Sequence, residues 1–367
     1  MTTEKAPLVS VIMPMYNSAK FIPQTLESLL YQTMTDFEVI VVDDCSTDNS
    51  VEVVESFLER FGGRLRVIKL PQNTGTPGIP RNFGIRAARG KYIAFLDSDD
   101  FYTKTSLEEV TNLLENYQAD VLYLNDTYML INGDILSPDD IPITDFDELT
   151  NPSNFDIAQW RNSRLPRLNE PTFESDNLEE RIKHCVEWKY RFVTYANFCR
   201  RDFLLENNIT FPDMIAYEDN IFNFACICLA KKLLLAPNIV YIIRRRIGSL
   251  SRDKINDQEV EKYFRKWANI LNSEFNELEK IMAQLPFFKT HIGYRYAVLE
   301  FFFRLLVDRK FIGKYSPEHS PIIYQFLKKE FHPFNAALTS YLFDLTVTQK
   351  LEIMKLQKEN IELKKIL

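Results

Sequence analysis

Two clusters of aspartates stand where predicted strands end. Asp43 and Asp44 follow the apolar run 39–42, and a second apolar run, 92–96, leads into the acidic turn 97–100. Ligands of open α/β sheets bind beyond the carboxyl ends of the strands. Carboxylates at that edge can hold a ribose, and together with phosphate oxygens they bind Mg²⁺ or Mn²⁺. The two clusters therefore indicate a site for a nucleoside diphosphate and a divalent cation, such as a sugar nucleotide needs.

The order of the predicted elements supports this placement of the aspartates. Over the first 125 residues, short apolar runs alternate with segments of helical spacing. This alternation is typical of a doubly wound, mostly parallel α/β sheet. The predicted strands are 9–13, 38–42, 65–70, 91–96 and 121–124, and the predicted helices are 19–32, one that begins after Ser50, 79–88 and 107–117.

The middle of the chain changes in character. Residues 126–180 contain 13 acidic and three basic residues and are rich in Pro and Asn, which favours loops. This segment is either a solvated surface insertion or a loop that recognises the acceptor. Helices are predicted at 181–208 and 216–230, and a strand at 238–243. After Ser251 apolar side chains recur with helical spacing, which indicates a helical core.

The last stretch of the chain has a separate pattern. Five side chains alternate spacings of three and four, as the a and d positions of a coiled coil do. An Asn in this seam would set the register of a homo-oligomer, which favours oligomerisation. A helix that packs on its own chain would show the same short pattern, so both interpretations stay open. The five residues are Ile353, Leu356, Asn360, Leu363 and Leu367.

Composition argues against several other classes of protein. The net charge of −7 disfavours broad nucleic-acid binding, and 46% hydrophobic residues are typical of a folded globular protein. The segment 1–7 has no apolar signal core, and the longest apolar stretches, 221–230 and 233–243, are too short to cross a bilayer. The five cysteines include no CxxC pair, which predicts reduced thiols. We expect a cytoplasmic protein that at most contacts the inner face of the cell membrane peripherally.

Five motifs follow one another over about the first 125 residues: VSVIMPMYN at 9–17, DDCSTD at 43–48, NTG at 73–75, PRNFG at 80–84 and GKYIAFLDSDD at 90–100. In order and spacing they resemble glycosyltransferase family 2, whose members invert the transferred sugar and have the GT-A fold. No single motif is decisive, but the set is specific. The chain departs from the family at Cys45, where a small residue such as Gly is more common. It also lacks the Gln-x-x-Arg-Trp motif and the membrane helices of processive polysaccharide synthases.

The resemblance implies roles on the donor side of the site. Asp44 would bind the uracil edge of a UDP-sugar, inside a base pocket walled by Pro14, Tyr16 and Asn17. Asn73, in the third motif, is assigned to donor binding as well.

The resemblance also assigns the acidic turn and a basic residue to the diphosphate. Asp99 would ligate Mn²⁺ or Mg²⁺, while Asp97 would contact the ribose or share the metal through water, with Ser98 beside them. A bound cation stabilises a departing diphosphate as a Lewis acid. Arg81 would approach the diphosphate, since a planar guanidinium suits phosphate oxygens. Asp48 and Asp100 are expected instead as cap or turn residues.

Two features of the second half complete the expected site. Glu218 and Asp219 match the Glu-Asp pair that family members carry at a helix start, so Asp219 is the candidate base and Glu218 orients it or contacts the sugar. A charged first turn that only caps the helix is the structural alternative. The segment 244–251 contains Arg244 and Ser249, which would close over the diphosphate as a lid or form a surface basic patch.

The sequence thus predicts a GT-A, Rossmann-like α/β domain with a mostly parallel sheet, followed by an α-helical C-terminal region. The expected boundaries are 1–255 for the catalytic domain, with halves at 1–125 and 126–255, then 256–345 for the helical region and 346–367 for the oligomerisation helix. The predicted activity is metal-dependent, inverting transfer from a UDP-sugar to a glycan, teichoic-acid-like polymer or glycoprotein. A sugar-phosphate nucleotidyltransferase and a non-catalytic binding subunit are the alternatives. The first would need a glycine- and lysine-rich phosphate loop after the first strand, which the sequence lacks.

Overall fold

The structure, a computed structural model, describes residues 5–124, 127–130, 157–160, 168–187, 189–238, 240–244 and 260–310, with a few isolated positions beyond. The chain forms two compact units, Met1–Ile247 and Gly248–Leu367. The predicted domain boundary at 255 lies outside the described residues and stays a prediction.

The strands of the first unit are short and mostly buried. They are β1 (Val9–Met15), β2 (Phe37–Asp43), β3 (Leu65–Lys69), β4 (Tyr92–Phe95), β5 (Phe101–Tyr102), β6 (Val121–Leu124), β7 (Thr127–Leu130), β8 (Ile157–Trp160), β9 (Thr172–Phe173), β10 (Asn197–Arg200), β11 (Leu233–Ala236) and β12 (Tyr241–Arg244). Its α-helices are α1 (Ile22–Leu30), α2 (Ser50–Glu55), α3 (Leu58–Phe61), α4 (Gly78–Ala87), α5 (Ser106–Tyr117), α6 (Leu178–Val186), α7 (Arg201–Glu206) and α8 (Glu218–Leu229).

In the described part of the first unit, eight strands form one sheet in the order β3-β2-β1-β4-β10-β6-β11-β9. Strands β3, β2, β1 and β4 are parallel neighbours, and β6 pairs in parallel with β11. The prediction of a mostly parallel α/β sheet is confirmed. Both β1 and β2 are buried along their whole length, as expected for strands with helices on both faces.

Helix α4 lies unusually close to this sheet. It packs against β1 and β2, and a Cβ added at Gly84 would stand 2.3 Å from Cγ2 of Ile12. A side chain at position 84 would therefore push α4 away from β1. The close approach places the N-terminal half of α4 beside the carboxyl ends of the central strands.

The structure corrects two predictions for the second half of the unit. The segment 181–208, predicted as one helix, contains the end of α6, a 3₁₀ turn at Thr194–Ala196, β10 and α7. Strand β10 inserts between β4 and β6 and is antiparallel to both. The segment 126–180, predicted as loop, contains β7, β8 and β9. Strands of two to four residues are too short to show a period of two, so tertiary pairing decides their structure.

A second sheet, with the order β5-β12-β7-β8 among the described strands, forms next to the acidic turn. Strand β12 pairs antiparallel with β5, which begins directly after Asp100, and parallel with β7. The strand predicted at 238–243 is therefore present, shifted to Tyr241–Arg244. This pairing brings a late part of the chain to the end of β4.

The second unit is helical in its described part. Its helices are α9 (Val260–Gln284), α10 (Pro286–Thr290) and α11 (Ile292–Lys310), which pack on one another around buried side chains such as Trp267, Leu278 and Phe302. The helical spacing predicted after Ser251 is confirmed there. The predicted coiled-coil positions between 353 and 367 lie outside the described residues. Across the residues that the structure describes, we find no helix with the length and apolar character needed to cross a membrane.

Candidate active site

The parallel strands β1, β2 and β4 end at one edge of the sheet, where the predicted donor residues meet. Asp44 directly follows β2, and its N–H donates to the carbonyl of Met15 at the end of β1. The Asp44 carboxylate is buried and accepts the Thr74 N–H at 2.9 Å and the Thr74 hydroxyl at 3.1 Å. The Asn73 side chain donates to the Asp44 carbonyl at 3.1 Å. Thus the second and third motifs form one rigid corner around Asp44.

The first motif supplies one exposed ring, that of Tyr16, and one side chain that supports the following loop, that of Asn17. Tyr16 is 48% exposed, whereas Pro14 is buried within β1. Asn17 has a left-handed backbone (φ 48°), and its Oδ1 accepts the N–H groups of Thr47 and Asp48. Asn17 therefore orders the loop after Asp44, while Tyr16 leaves its ring available to a ligand.

Asp48 supports the same loop. Its carboxylate accepts the N–H of Ser50 at 3.0 Å and that of Ala19 at 3.2 Å, so it acts as a turn residue at the start of α2. This is the role that the sequence predicted for it.

The acidic turn after β4 presents two aspartates and buries a third. Asp97 and Asp99 are partly exposed, and the Ser98 hydroxyl is buried against that of Ser18 at 2.7 Å. Asp100 is buried, accepting the Tyr241 hydroxyl and the Arg244 N–H, each at 2.8 Å. Burial, with the nearby charges of Asp99 and Asp97, raises the pKa of Asp100 well above its usual range. The turn therefore offers two partly exposed carboxylates, those of Asp97 and Asp99, to a ligand and encloses the third.

Arg244 lies under the acidic turn. It is buried, with its guanidinium over the ring of Phe101 at 4.5 Å and its Nε donating to the Asp99 carbonyl at 2.9 Å. A further hydrogen bond joins Arg244 to Gln24 of α1. In this arrangement Arg244 supports the turn from below. Its predicted partner in a lid, Ser249, lies outside the described residues.

Arg81 of α4 joins the two acidic motifs. Its guanidinium is buried and donates to Asp97 at 2.8 Å and to Glu218 at 3.3 Å. Burial acts to lower the pKa of Arg81, but the charges of Asp97 and Glu218 raise it overall. A buried guanidinium is stable only when it is paired in this way. The structure therefore brings the predicted donor turn and the predicted base pair within reach of one side chain.

Glu218 and Asp219 occupy the first turn of α8. Tyr217, just before them, has a left-handed backbone (φ 66°), which for a bulky residue is strained. Glu218 is buried, whereas Asp219 is partly exposed. Burial and the Asp219 charge raise the pKa of Glu218 to about 7, although Arg81 acts to lower it. The two neighbouring carboxyl groups thus have different environments, one enclosed and one open to a substrate.

Two buried amides hold the backbone of this first turn. Asn223 donates to the Asp219 carbonyl at 2.6 Å, and Asn197 of β10 donates to Oδ1 of Asn223 at 2.5 Å. Sequence reasoning missed this pair: β10 was not predicted as a strand, so nothing placed Asn197 beside Asn223 of the predicted helix. It also gave no role to Asn82, which hydrogen-bonds Phe211 seven residues before Glu218. Asn82 was visible within the fourth motif beside Arg81.

The acidic turn is chemically suited to a cation that also binds a diphosphate. Within the described residues, no group of three or more His, Cys, Asp or Glu side chains is arranged as a complete metal site. Mg²⁺ and Mn²⁺ bound with a nucleotide commonly use one or two carboxylates, and phosphate oxygens complete the coordination. Asp97 and Asp99, the two partly exposed carboxylates of the turn, fit such a site.

Comparison with known proteins agrees with this arrangement of motifs. Residues 10–129 match the family model described as glycosyl transferase family 2. The match covers the Asp44 corner, Arg81 and the acidic turn. Residues 10–129 thus form a domain of glycosyltransferase family 2. The base pair at Glu218 and Asp219 lies beyond the matched residues, so its role stays a prediction.

Two relatives are named as poly(ribitol-phosphate) transferases. Over 291 residues, 78% of this chain, the protein is 29% identical to poly(ribitol-phosphate) beta-N-acetylglucosaminyltransferase TarS of Staphylococcus aureus. It is 28% identical over 295 residues to a poly(ribitol-phosphate) beta-glucosyltransferase of Bacillus spizizenii. The chain spans 44% and 40% of the lengths of these two relatives.

A solved structure of TarS shows the same fold. The crystal structure of S. aureus TarS 1-349 in complex with UDP-GlcNAc matches with a TM-score of 0.59 and 21% identity, covering 94% of this chain and 89% of that chain. At this identity the likeness establishes the shared GT-A fold.

Proposed function

We propose that this protein transfers a sugar, with inversion, from a UDP-sugar to a hydroxyl group of a cell-surface polymer, and that it needs a divalent cation. One observation carries the proposal: Arg81 bonds both Asp97 of the acidic turn and Glu218 of the base pair. A transferase needs its leaving-group site and its base on either side of one sugar. The shared guanidinium is consistent with that arrangement.

The donor assignment combines the sheet edge with the family. We assign the base and ribose to the corner of Pro14, Tyr16, Asn17, Asp44 and Asn73, with the Asp44 carboxylate on the uracil. The TarS structure is a complex with UDP-GlcNAc, which supports a uridine nucleotide here. A carboxylate has about four acceptor sites, so the bonds from Thr74 leave capacity for the base.

The diphosphate belongs, in this proposal, beside the acidic turn. Asp99 and Asp97 would hold Mn²⁺ or Mg²⁺, which would supply Lewis-acid stabilisation of the leaving diphosphate. Ser98 fixes the turn between them, and Arg244 supports it from beneath. Arg81 stands next to Asp97, where its guanidinium can also take part in binding phosphate oxygens.

The base belongs at the start of α8. The Asp219 carboxylate accepts the proton of the acceptor hydroxyl while that oxygen bonds to the anomeric carbon, and the bond from this carbon to the UDP oxygen breaks. Attack opposite to the leaving group inverts the anomeric centre. The helix N-terminus favours the ionised form of Asp219, and Glu218 orients it through the pair with Arg81. This step needs no covalent intermediate.

For the acceptor we propose a polyol-phosphate polymer of the teichoic-acid type. Two relatives are named for transfer to poly(ribitol-phosphate), one of N-acetylglucosamine and one of glucose. Other surface glycans and glycoproteins remain within the same chemistry. We propose that the enzyme works in the cytoplasm as a homo-oligomer, the state that the C-terminal heptad pattern favours.

Calorimetric titration tests the donor assignment. UDP-GlcNAc, UDP-glucose and GDP-mannose are titrated into the protein with Mn²⁺ and with a chelator, and into two variants. We expect one UDP-sugar to bind, with affinity reduced about tenfold or more by chelation or by Asp99→Ala. The control is Asp36→Ala, which removes an exposed aspartate at the opposite end of β2. Metal-independent binding, or binding of the GDP-sugar alone, would contradict the proposal.

A further inference from the structure

Asn82 holds the backbone of a residue that lies 129 positions later in the chain. Its Nδ2 donates to the Phe211 carbonyl at 2.7 Å, and its Oδ1 accepts the Phe211 N–H at 2.9 Å. The Asn82 side chain is buried. A side-chain amide that satisfies both backbone groups of one residue fixes that peptide as a strand neighbour would.

Phe211 begins the segment 211–217 that leads into the candidate base pair. Its ring stacks on Phe222 of α8, with centroids 4.2 Å apart and an interplanar angle of 3°. Phe211 is therefore tied to α4 through its backbone and to the base helix through its ring. Any shift of its peptide moves a ring that packs on the second turn of α8.

Helix α4 contacts the other end of the segment too. Arg81 pairs with Glu218, and a Cβ added at Gly78 would lie 2.7 Å from Glu218 Cγ and 3.0 Å from Phe211 Cβ. Glycine at position 78 lets α4 touch both ends at once. The strained Tyr217 lies between these two fixed points, and such strain persists only where the surroundings determine the backbone.

We propose that Asn82 is a positioning residue for the candidate base: by fixing the peptide of Phe211 it sets where α8 begins and hence where the Asp219 carboxylate stands. This inference rests on the proposed function, because it assumes that Asp219 is the base. The Asp44 carboxylate is bonded to Thr74, and the acidic turn is bonded to Tyr241 of β12. Asn82 should therefore govern the rate of transfer and leave donor binding unchanged.

The test compares Asn82→Ala with Asn207→Ala. Asn207 also donates its amide to a backbone carbonyl, that of Phe203 at 2.8 Å, but at the end of α7. Transfer kinetics and UDP affinity with Mn²⁺ are measured for both variants, together with hydrogen–deuterium exchange of the peptides that cover 211–220. Asn82→Asp keeps the size and an acceptor but loses the donor, and it replaces the alanine variant if that does not fold.

We expect Asn82→Ala to lower kcat about 10- to 100-fold, since small displacements of a catalytic group have effects of that size. The donor KM and the UDP affinity should stay within about twofold of wild type, exchange should rise in 211–220, and Asn207→Ala should change neither kcat nor this exchange. Unchanged kcat in folded Asn82 variants would overturn the proposal, as would a loss of UDP affinity equal to the loss of kcat. Exchange does not depend on turnover. If wild type transfers no sugar, the proposed function is contradicted. Increased exchange of 211–220 in Asn82→Ala would in that case still show that the Asn82 contact holds this segment.

Discussion

Arg81 is the side chain that joins the proposed donor side of the site to the proposed base side. The fourth sequence motif contains Arg81 and suggested that this side chain binds the diphosphate. In the structure the Arg81 guanidinium is buried and bonds Asp97 and Glu218. Arg81, Asp97 and Glu218 could be singled out from sequence because each lies in a motif that resembles those of the family. Their pairing could not, since position 81 and position 218 become neighbours only when α4 packs against the start of α8.

Glu218 should make stability depend on pH. Its pKa is raised to about 7 from the ordinary 4.5, so between these values the folded protein keeps a proton that the unfolded chain has lost. Stability from this group is therefore present at low pH and falls as pH rises through the window. Glu218→Gln cannot ionise, so its free energy of unfolding relative to wild type should rise by up to about 3 kcal/mol from about pH 5 to about pH 8.

Urea unfolding of wild type and Glu218→Gln at both pH values measures this change. Glu115→Gln is the control. The hydrogen bond from Lys91 lowers the pKa of Glu115, so this carboxyl stays ionised from about pH 5 to about pH 8 and the free energy of unfolding of Glu115→Gln relative to wild type should not rise. If the free energies of unfolding of Glu218→Gln and wild type differ by the same amount at the two pH values, the pKa of Glu218 is not raised.

Cys45 offers a chemical probe of the nucleotide corner. It is partly exposed in the loop after Asp44, whereas the other four cysteines are buried. A maleimide should label Cys45 selectively, and UDP with Mn²⁺ at about ten times its Kd should slow labelling about tenfold by covering the loop. Mass spectrometry follows the reaction, with ADP as control nucleotide and Cys45→Ser as control variant. Labelling that UDP does not slow would place the nucleotide elsewhere.

At the scale of elements, the alternating half of the chain was predictable and the inserted strands were not. Strands β1 and β2 are fully buried runs separated by helices, a pattern that sequence shows directly. Strand β10 has four residues, and its place between β4 and β6 depends on pairing partners that are distant in sequence. Asn197, which supports the Asp219 backbone through Asn223, was missed for the same reason.

Strand β12 should anchor the acidic turn through Tyr241. The Tyr241 hydroxyl accepts the Asp97 N–H at 3.2 Å and donates to the Asp100 carboxylate at 2.8 Å. Both aspartates belong to the acidic turn that follows β4. Tyr241→Phe leaves two polar groups without this partner and should lower the free energy of unfolding by about 1–3 kcal/mol.

The matched control is Tyr102→Phe. The Tyr102 ring lies 5.8 Å from the Tyr241 ring, and its hydroxyl donates to the Phe95 carbonyl at 2.9 Å. Denaturant unfolding compares the two variants, and UDP titration with Mn²⁺ reports on the turn. We expect only Tyr241→Phe to weaken metal-dependent UDP binding. Equal UDP affinity in both variants would show that the Tyr241 hydroxyl does not support donor binding.

At the scale of the whole molecule, the GT-A unit accounts for the proposed chemistry, and we propose that the C-terminal unit mediates assembly. The heptad pattern at 353–367 predicts that removal of residues 351–367 lowers the molar mass in solution, because a coiled-coil seam would be lost. Multi-angle light scattering of the full chain and the truncated chain measures this. The same number of chains per particle with and without residues 351–367 would contradict the coiled coil and favour a segment that packs on its own chain.

The most direct test of the account is transfer itself. Wild type, Asp219→Asn and Asp213→Asn are incubated with Mn²⁺, UDP-GlcNAc or UDP-glucose and a poly(ribitol phosphate) acceptor, and NMR determines the anomeric configuration of the product. Asp213 is an exposed aspartate in the same segment and serves as the control. We predict a β-linked product from wild type and Asp213→Asn, and a rate about 10²- to 10⁴-fold lower for Asp219→Asn with UDP affinity retained. Wild-type rates from Asp219→Asn, or an α-linked product, would contradict an inverting mechanism with Asp219 as base.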